Sequence, residues 1–262
     1  PFGLVQLGPT SIPQQWDWCS GYHDSDSTVI GFSHTHLSGT GIGDLFDITV
    51  MPVVGDSLTY ARGREEDPGT GLWSYADRTK EIARPGYYCV PLTRYGVTAE
   101  MTATSRVGMH RYTFPQSGNA GIVIDLMNGG CWDRPMDTYV EVVDPSTGLP
   151  DENGTALKGY RFSRGWASDQ KIYFYAEFSQ PFRDLDIITR NIQIWQNEFR
   201  QMPTHVHAHF DGADQVLMKV ALSPVSMDGA YRNMQQELPG WDFNSVAEAA
   251  SKAWNDELSK IS

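Results

Sequence analysis

Cysteine is scarce in this chain, basic residues are outnumbered, and no apolar run reaches the length of a membrane span. The 262 residues include three cysteines, Cys19, Cys89 and Cys131. The set is odd and lacks close metal spacing, so buried free thiols are expected, with one structural disulfide or a metal site as the alternative. Lys and Arg total 20 against 32 Asp and Glu, a net charge of −12. That balance excludes nucleic acid as a partner, because phosphate contacts need clustered cations. No stretch approaches the roughly 20 apolar residues of a transmembrane helix, so no membrane span is expected. The first residues lack the charged and apolar regions of a signal peptide, and the text opens on Pro1-Phe2-Gly3 rather than Met. An export signal is therefore expected upstream of this chain, for a protein that is periplasmic, cell-surface or secreted. There is no phosphate-binding glycine loop, no Gly-x-Ser-x-Gly elbow and no fixed-period repeat.

Glycine (25), proline (15) and aromatic residues (12%, with eight Trp) are abundant instead. Short apolar runs of strand length recur between turn residues: Phe46 to Val54, Gly86 to Leu92, Val97 to Ala103, His110 to Phe114, Gly121 to Met127, Met136 to Val143, Lys171 to Phe178, Ile187 to Ile194 and Val216 to Leu222. Their Val, Ile, Tyr, Phe and Thr content, with turns such as Asp144-Pro145-Ser146-Thr147-Gly148, predicts a mainly β fold, a large antiparallel β-sandwich over residues 1–238. After Pro239-Gly240 the period changes. Phe243, Val246, Ala247, Ala250, Trp254, Leu258 and Ile261 fall at three- and four-residue steps, predicting an amphipathic C-terminal helix over 239–262, with Ser245 and Glu248 as its capping box. Its apolar face either folds back on the sandwich or leads, as a linker helix, to a further helical domain.

The stretch from Trp16 to Gly43 concentrates aromatic rings, two His and many Gly, Ser and Thr. Indole and phenol faces stack on the C–H surfaces of sugar rings, and the polar neighbours satisfy hydroxyls; the same rings also serve as core. His34 and His36 alternate, and surrounding Gly, Ser and Thr favour a hydrogen-bonded structural loop over a metal pair. His205, His207 and His209 alternate too. A three-His zinc face is conceivable there, but a strand pattern explains them and no carboxylate accompanies them in the text. Asp24-Ser25-Asp26-Ser27 is rich in oxygen but reads as a solvated turn. No residue is expected to hold a metal.

The run Gly31-Phe32-Ser33-His34-Thr35-His36-Leu37-Ser38-Gly39-Thr40-Gly41 resembles a signature of glycoside hydrolase family 92. Pro1-Phe2-Gly3 and Gly21-Tyr22 precede or interleave with it. Arg84-Pro85-Gly86-Tyr87-Tyr88, Glu100-Met101-Thr102-Ala103, Ser223-Pro224-Val225-Ser226, Glu237 to Phe243 and Trp254-Asn255 follow in order. The resemblance covers the chain end to end. It implies a sandwich of the galactose-mutarotase type leading into an (α/α)6 catalytic domain beyond this text. The family's activity is calcium-dependent, inverting exo-α-mannoside hydrolysis, which implies a bacterial enzyme of N-glycan degradation. The acid, the base and the calcium ligands are then expected in that second domain, with no catalytic residue and no cofactor held here. The sandwich contributes binding residues for a mannose-containing oligosaccharide. Trp18 matches an aromatic residue that packs on the leaving-group sugar in α-1,2-active members, with Trp16 as its alternate, and Phe2 and Gly3 match a turn near the terminal mannose. His34 and His36 fall at the domain junction. A stand-alone carbohydrate-binding module, or a domain that only braces a catalytic partner, is the competing reading.

Overall fold

The computed structural model describes residues 2–11, 21–37, 44–56, 58–64, 67–116, 119–130, 133–195 and 198–260. Trp16, Trp18, Cys19, Cys131 and Ile261 lie outside the described residues. The elements run in chain order as β1 (Gly8–Thr10), β2 (Thr28–Val29), β3 (Gly31–Ser33), β4 (Thr49–Val54), β5 (Arg62–Arg64), β6 (Asp67–Gly71), β7 (Ser74–Tyr75), β8 (Ile82–Arg84) and β9 (Tyr87–Leu92). They continue with β10 (Val97–Ala103), β11 (Val107–Thr113), β12 (Ala120–Asp125), β13 (Arg134–Val143), β14 (Ala156–Arg164), β15 (Gln170–Phe178), β16 (Asp184–Trp195), β17 (Glu198–Phe210) and β18 (Gln215–Ser223). Two helices close the chain, α1 (Met227–Glu237) and α2 (Phe243–Leu258).

Two antiparallel sheets form the sandwich. The six-stranded sheet has the order β1-β3-β4-β12-β17-β16, and the eight-stranded sheet β13-β14-β15-β18-β11-β10-β9-β8. The cause is period-two alternation, which sends one set of side chains from each strand into the shared interior. Val206, Ala208 and Phe210 of β17 and Val216, Met218, Val220 and Leu222 of β18 join one buried cluster, and Phe178 meets Phe210 across it at 5.4 Å between ring centroids. The intervening residues of each strand face outward.

A buried ion triad ties the sheets together. Arg161 on β14 donates to Asp47 Oδ1 at 2.6 Å, to Leu126 O at 3.1 Å and to Asp133 Oδ1. Asp47 sits among Leu45, Phe46 and Ile48, all with positive φ (72°, 62° and 52°). Left-handed backbone costs a bulky L-residue about 1–2 kcal/mol. The triad, together with Thr35 Oγ1 donating to Asp47 Oδ2 at 2.8 Å, holds the turn in that form.

The outer face of the eight-stranded sheet is apolar. Val107, Met109, Tyr175 and Ala221 pack there against Ala230 and Met234 of α1 and Phe243 and Ala247 of α2. The C-terminal helix thus folds back on the sandwich. Its cap differs from the expected box: Asp242 is the N-cap and its carboxylate accepts from Ser245 N at 3.0 Å, so Ser245 lies inside the first turn. Helix α1 departs from the expectation of a single helix beyond residue 239. It begins at the Ser226 cap, whose hydroxyl accepts from Gly229 N. Cys89, expected buried, is a half-buried free thiol on β9.

Candidate functional site, a groove between the N-terminal segment and helix α2

Gly86 decides how closely α2 approaches. It has φ of 83°, and a Cβ there would lie 2.7 Å from Ser251 N and 2.8 Å from the Ala250 carbonyl carbon, so only glycine lets the β8–β9 turn touch the helix backbone. Thr102 Oγ1 locks that turn by donating to Gly86 O at 2.7 Å. On the other side the N-terminal segment crosses the β10–β11 turn. Gly3 lies flat on Ser105, where a Cβ would stand 2.2 Å from the carbonyl oxygen. Val5 N donates to Ser105 O at 3.2 Å, and Gln6 N to His34 O at 2.8 Å.

Between the segment and the helix runs a cavity of about 1120 Å³, lined among others by Phe2, Gly3, Tyr22, His36, Glu237 and Trp254. Phe2 is 84% exposed, and its ring meets Trp254 edge-on at 5.8 Å. Two aromatic faces from opposite ends of the chain therefore stand at one mouth of the groove. Glu237 is the one carboxylate among the described lining residues. Its Oε2 accepts from Thr104 Oγ1 at 2.5 Å and from Arg106 N at 2.9 Å, and its Oε1 pairs with the Arg106 guanidinium. Burial alone would raise its pKa, but the bonds from Thr104 and Arg106 prevail and hold it below the usual carboxylate range.

The two histidines of the Gly31–Gly41 motif take different positions. His34 is fully buried and its Nδ1 donates to Ile48 O at 2.6 Å, which leaves Nε2 as an acceptor for His110 Nε2 at 3.0 Å. His110 Nδ1 then accepts from Tyr112 OH at 2.8 Å. Each ring is neutral in this chain of bonds, and burial lowers the pKa of His34 to about 4 and that of His110 well below its ordinary value. His36 lines the groove. Its Nδ1 donates to Gln6 O at 2.7 Å, its ring packs on Phe46 at 4.8 Å and on Gly21, and its Nε2 has no partner among the described residues. Burial lowers its pKa to about 4 as well.

The structure thus brings Phe2, Gly3 and His36 to one groove and sets His34 beneath it. Trp16 and Trp18 lie outside the described residues, although Pro9 and Gly21, on either side of that segment, both line the groove. Sequence reasoning did not assign Trp254, Tyr22 or Glu237 to a site. The signal was present in another form: the separate motifs at 2–3, 21–22, 84–88, 101–103, 237 and 254 all converge on this cavity.

Two antiparallel sheets of six and eight strands, backed by two helices, define a large β-sandwich class of domain. Within it, residues 1–223 match the glycosyl hydrolase family 92 N-terminal domain and residues 229–262 match the glycosyl hydrolase family 92 catalytic domain. The chain belongs to glycosyl hydrolase family 92. The family 92 α-mannosidase BT3965 from Bacteroides thetaiotaomicron superposes with a TM-score of 0.85 at 35% identity over 99% of this chain and 35% of its own; it is also known in complex with mannoimidazole, a structure of which this chain spans 34%. The inverting mannosidase BT2199 of the same organism shares the fold, with a TM-score of 0.74 at 21% identity over 99% of this chain and 32% of its own. An uncharacterized secreted glycosidase of Arthroderma benhamiae is 28% identical over 92% of this chain and 33% of its own length. The chain spans about a third of each of these relatives.

Proposed function

We propose that this chain is the substrate-binding N-terminal module of an inverting, calcium-dependent exo-α-mannosidase, exported and directed at α-1,2-linked mannose of N-glycans. The observation that carries the proposal is the groove. Its rim of Phe2 and Trp254 offers ring faces to a pyranose, and Gly3 and Gly86 let the N-terminal segment and helix α2 close on the sheet to form its walls. Gly3 and Phe2 would border the terminal mannose, and Trp18, or failing it Trp16, would cover the leaving sugar. His36 and His34 hold the loop that forms the groove's inner wall. Likeness to BT3965, an α-mannosidase, supports the substrate class, and the secreted relative supports export.

Inverting glycoside hydrolysis needs an acid and a base about 6.5–9.5 Å apart, on either side of the sugar. The groove offers one carboxylate among its described lining residues, Glu237, and both of its oxygens are engaged by Arg106 and Thr104. Calcium asks for six to eight oxygens. That single engaged carboxylate does not fit it, so no step is assigned to the ion on this chain. The acid, the base and the calcium ligands would come from the family's catalytic domain, facing the groove.

The test is mannose release from α-1,2-mannobiose by the chain alone and by the chain joined to a family 92 catalytic domain. Hydrolysis is expected only from the joined form. Release by the chain alone, abolished by a point substitution within it, would overturn the assignment. Calorimetry with mannobiose separates the competing module reading, which requires appreciable affinity by the sandwich on its own.

A further inference from the structure

The six-stranded sheet ends in a long strand whose outer edge pairs with nothing among the described residues. Its neighbouring face is closed: His205, His207 and His209 alternate on β17 opposite Val206, Ala208 and Phe210, which fill the core, and Tyr60 lies over the first two rings at 5.5 and 6.0 Å. Sequence alone offers these histidines no carboxylate. The β16–β17 register sets Asp186 opposite His207, and Asp186 Oδ2 accepts from His209 Nε2 at 2.9 Å. The open part is the edge. Strand β16 is 12 residues long and has β17 as its single neighbour in the sheet. Free N–H and C=O groups alternate along such an edge, which natural folds shorten, cover, bulge or interrupt with proline. None of these applies from Asp184 to Gln193: the segment has no proline, and the register shift at Ile188/Thr189 places the extra residue, Thr204, on β17. Beyond that shift the consecutive residues Thr189, Arg190 and Asn191 of β16 and Phe199, Arg200 and Gln201 of β17 are all exposed. The hairpin thus leaves the core as a two-stranded ribbon, a form that is marginal in water by itself.

We propose that this edge is a self-association surface, on which a second copy of the chain lays its own β16 antiparallel about a two-fold axis at Ile188. Charge sets the register. Residues equidistant from the axis face each other in an antiparallel pair, so Asp186 of each copy meets Arg190 of the other, and Ile188 meets its own equivalent. Asp186 and Arg190 stand two positions to either side of Ile188, hence on one face of the strand. Both have capacity to spare. The Asp186 side chain is 64% exposed and gives only Oδ2 to His209, while Arg190 is exposed and its guanidinium has no ion-pair partner among the described residues. No like charges oppose each other in this register, since Asp184 falls opposite Ile192. Moving the axis to Ile187 would set Asp186 against Ile188, and moving it to Thr189 would set Arg190 there. The isologous pairing joins the two six-stranded sheets into one and gives each ribbon the neighbouring strands it lacks. Gly8 and Pro9 of the groove belong to β1, at the opposite edge of the sheet, so both grooves stay open in the pair.

The experiment is sedimentation of the chain over a wide concentration range, where a monomer–dimer equilibrium is expected. Arg190→Asp brings two carboxylates together at each end of the pair and should weaken dimerisation at least tenfold, and the exchange Asp186→Arg with Arg190→Asp should restore it. Cysteine substitution then reads the register. Directly opposed Cα atoms in an antiparallel pair lie about 4.5–5.5 Å apart, within disulfide reach, so Ile188→Cys should link two copies on oxidation. Ile192→Cys, about 27 Å from its equivalent along the paired strands, should not. The parent chain, oxidised in parallel, accounts for any link through its own thiols. A monomer at every concentration, a dimer indifferent to Arg190→Asp, or a dimer that links through Ile192→Cys and not Ile188→Cys would overturn the proposal.

Discussion

The outer faces of the two sheets solve the same problem in opposite ways. The eight-stranded sheet turns Val107, Met109, Tyr175 and Ala221 outward and covers them with α1 and α2. Two lysines buried on that face are both neutralised: Lys219 pairs with Glu177 at 2.8 Å, donates to Leu238 O at 3.1 Å and sits 4.1 Å from the Trp241 ring, and Lys158 lies 3.4 Å from Glu141 and donates to Gly148 O at 2.9 Å. The six-stranded sheet turns histidines outward and covers them with the segment around Tyr60. An apolar outer face thus marks where another element docks. A buried polar one marks where titratable groups are kept out of water.

The largest expected effect that would sharpen this contrast comes from acid. The pKa values of His34 and His36 are lowered to about 4 by burial, whereas an unfolded histidine titrates near 6.5. The unfolded chain therefore binds protons first as pH falls. Stability contributed by the neutral rings is complete above about pH 6.5 and drains away toward pH 4, each ring contributing a slope of up to roughly 1.4 kcal/mol per pH unit. Urea midpoints across that interval, with hydrogen exchange, should show β3 and β4 losing protection before β14 and β15. Uniform loss would break the comparison.

Removing the tie between the sheets comes next. Arg161→Leu strands Asp47 and Asp133 as buried charges and should cost about 3–5 kcal/mol in urea unfolding; a loss below about 1 kcal/mol would mean the triad is not the link. Gly86→Ala attacks helix docking instead. Positive φ and the collision with α2 should cost about 2 kcal/mol or more and expose α2 amides to exchange while the sheets stay protected.

In the complete enzyme, Trp18→Ala should lower kcat/KM on α-1,2-mannobiose by about 5- to 150-fold, or roughly 1–3 kcal/mol, and much less on an aryl mannoside with a good leaving group. Equal losses that track soluble yield would return Trp18 to the core and turn attention to Trp16. The smallest effect on stability belongs to Phe2→Ala, within about 0.5 kcal/mol because the ring is 84% exposed. Its consequence should appear in mannobiose turnover alone.

The sandwich was legible because most strands are apolar runs between turns, and β10 runs from Val97 to Ala103 as the residues predict. Strand β14 is not legible because it carries Lys158 and Arg161, charges that look solvated in text and are buried in the fold, with Gly159 between them. Helix α1 was hidden for a related reason. Its apolar residues Met227, Ala230, Tyr231 and Met234 keep helical spacing, but Gly229, Arg232 and Asn233 dilute the pattern. The groove was legible only as family motifs, since Phe2 and Trp254 are brought together by topology and not by spacing. The Asp186 carboxylate was invisible for the same cause: strand pairing, which no local pattern records, sets it beside His207.

The left-handed turn at Leu45, Phe46 and Ile48 has a kinetic side. Its tie, Asp47 to Arg161, spans 114 residues of chain. A strained turn held by so distant a partner cannot nucleate folding, because closing that loop costs entropy before any contact returns it. The residues around His34 and His36, at the inner wall of the groove, should therefore be assembled late, after β14 has joined its sheet. Substitutions at Asp47 would then leave the refolding rate nearly unchanged and speed unfolding, making the groove wall the part of the molecule whose persistence is governed by escape rather than by formation.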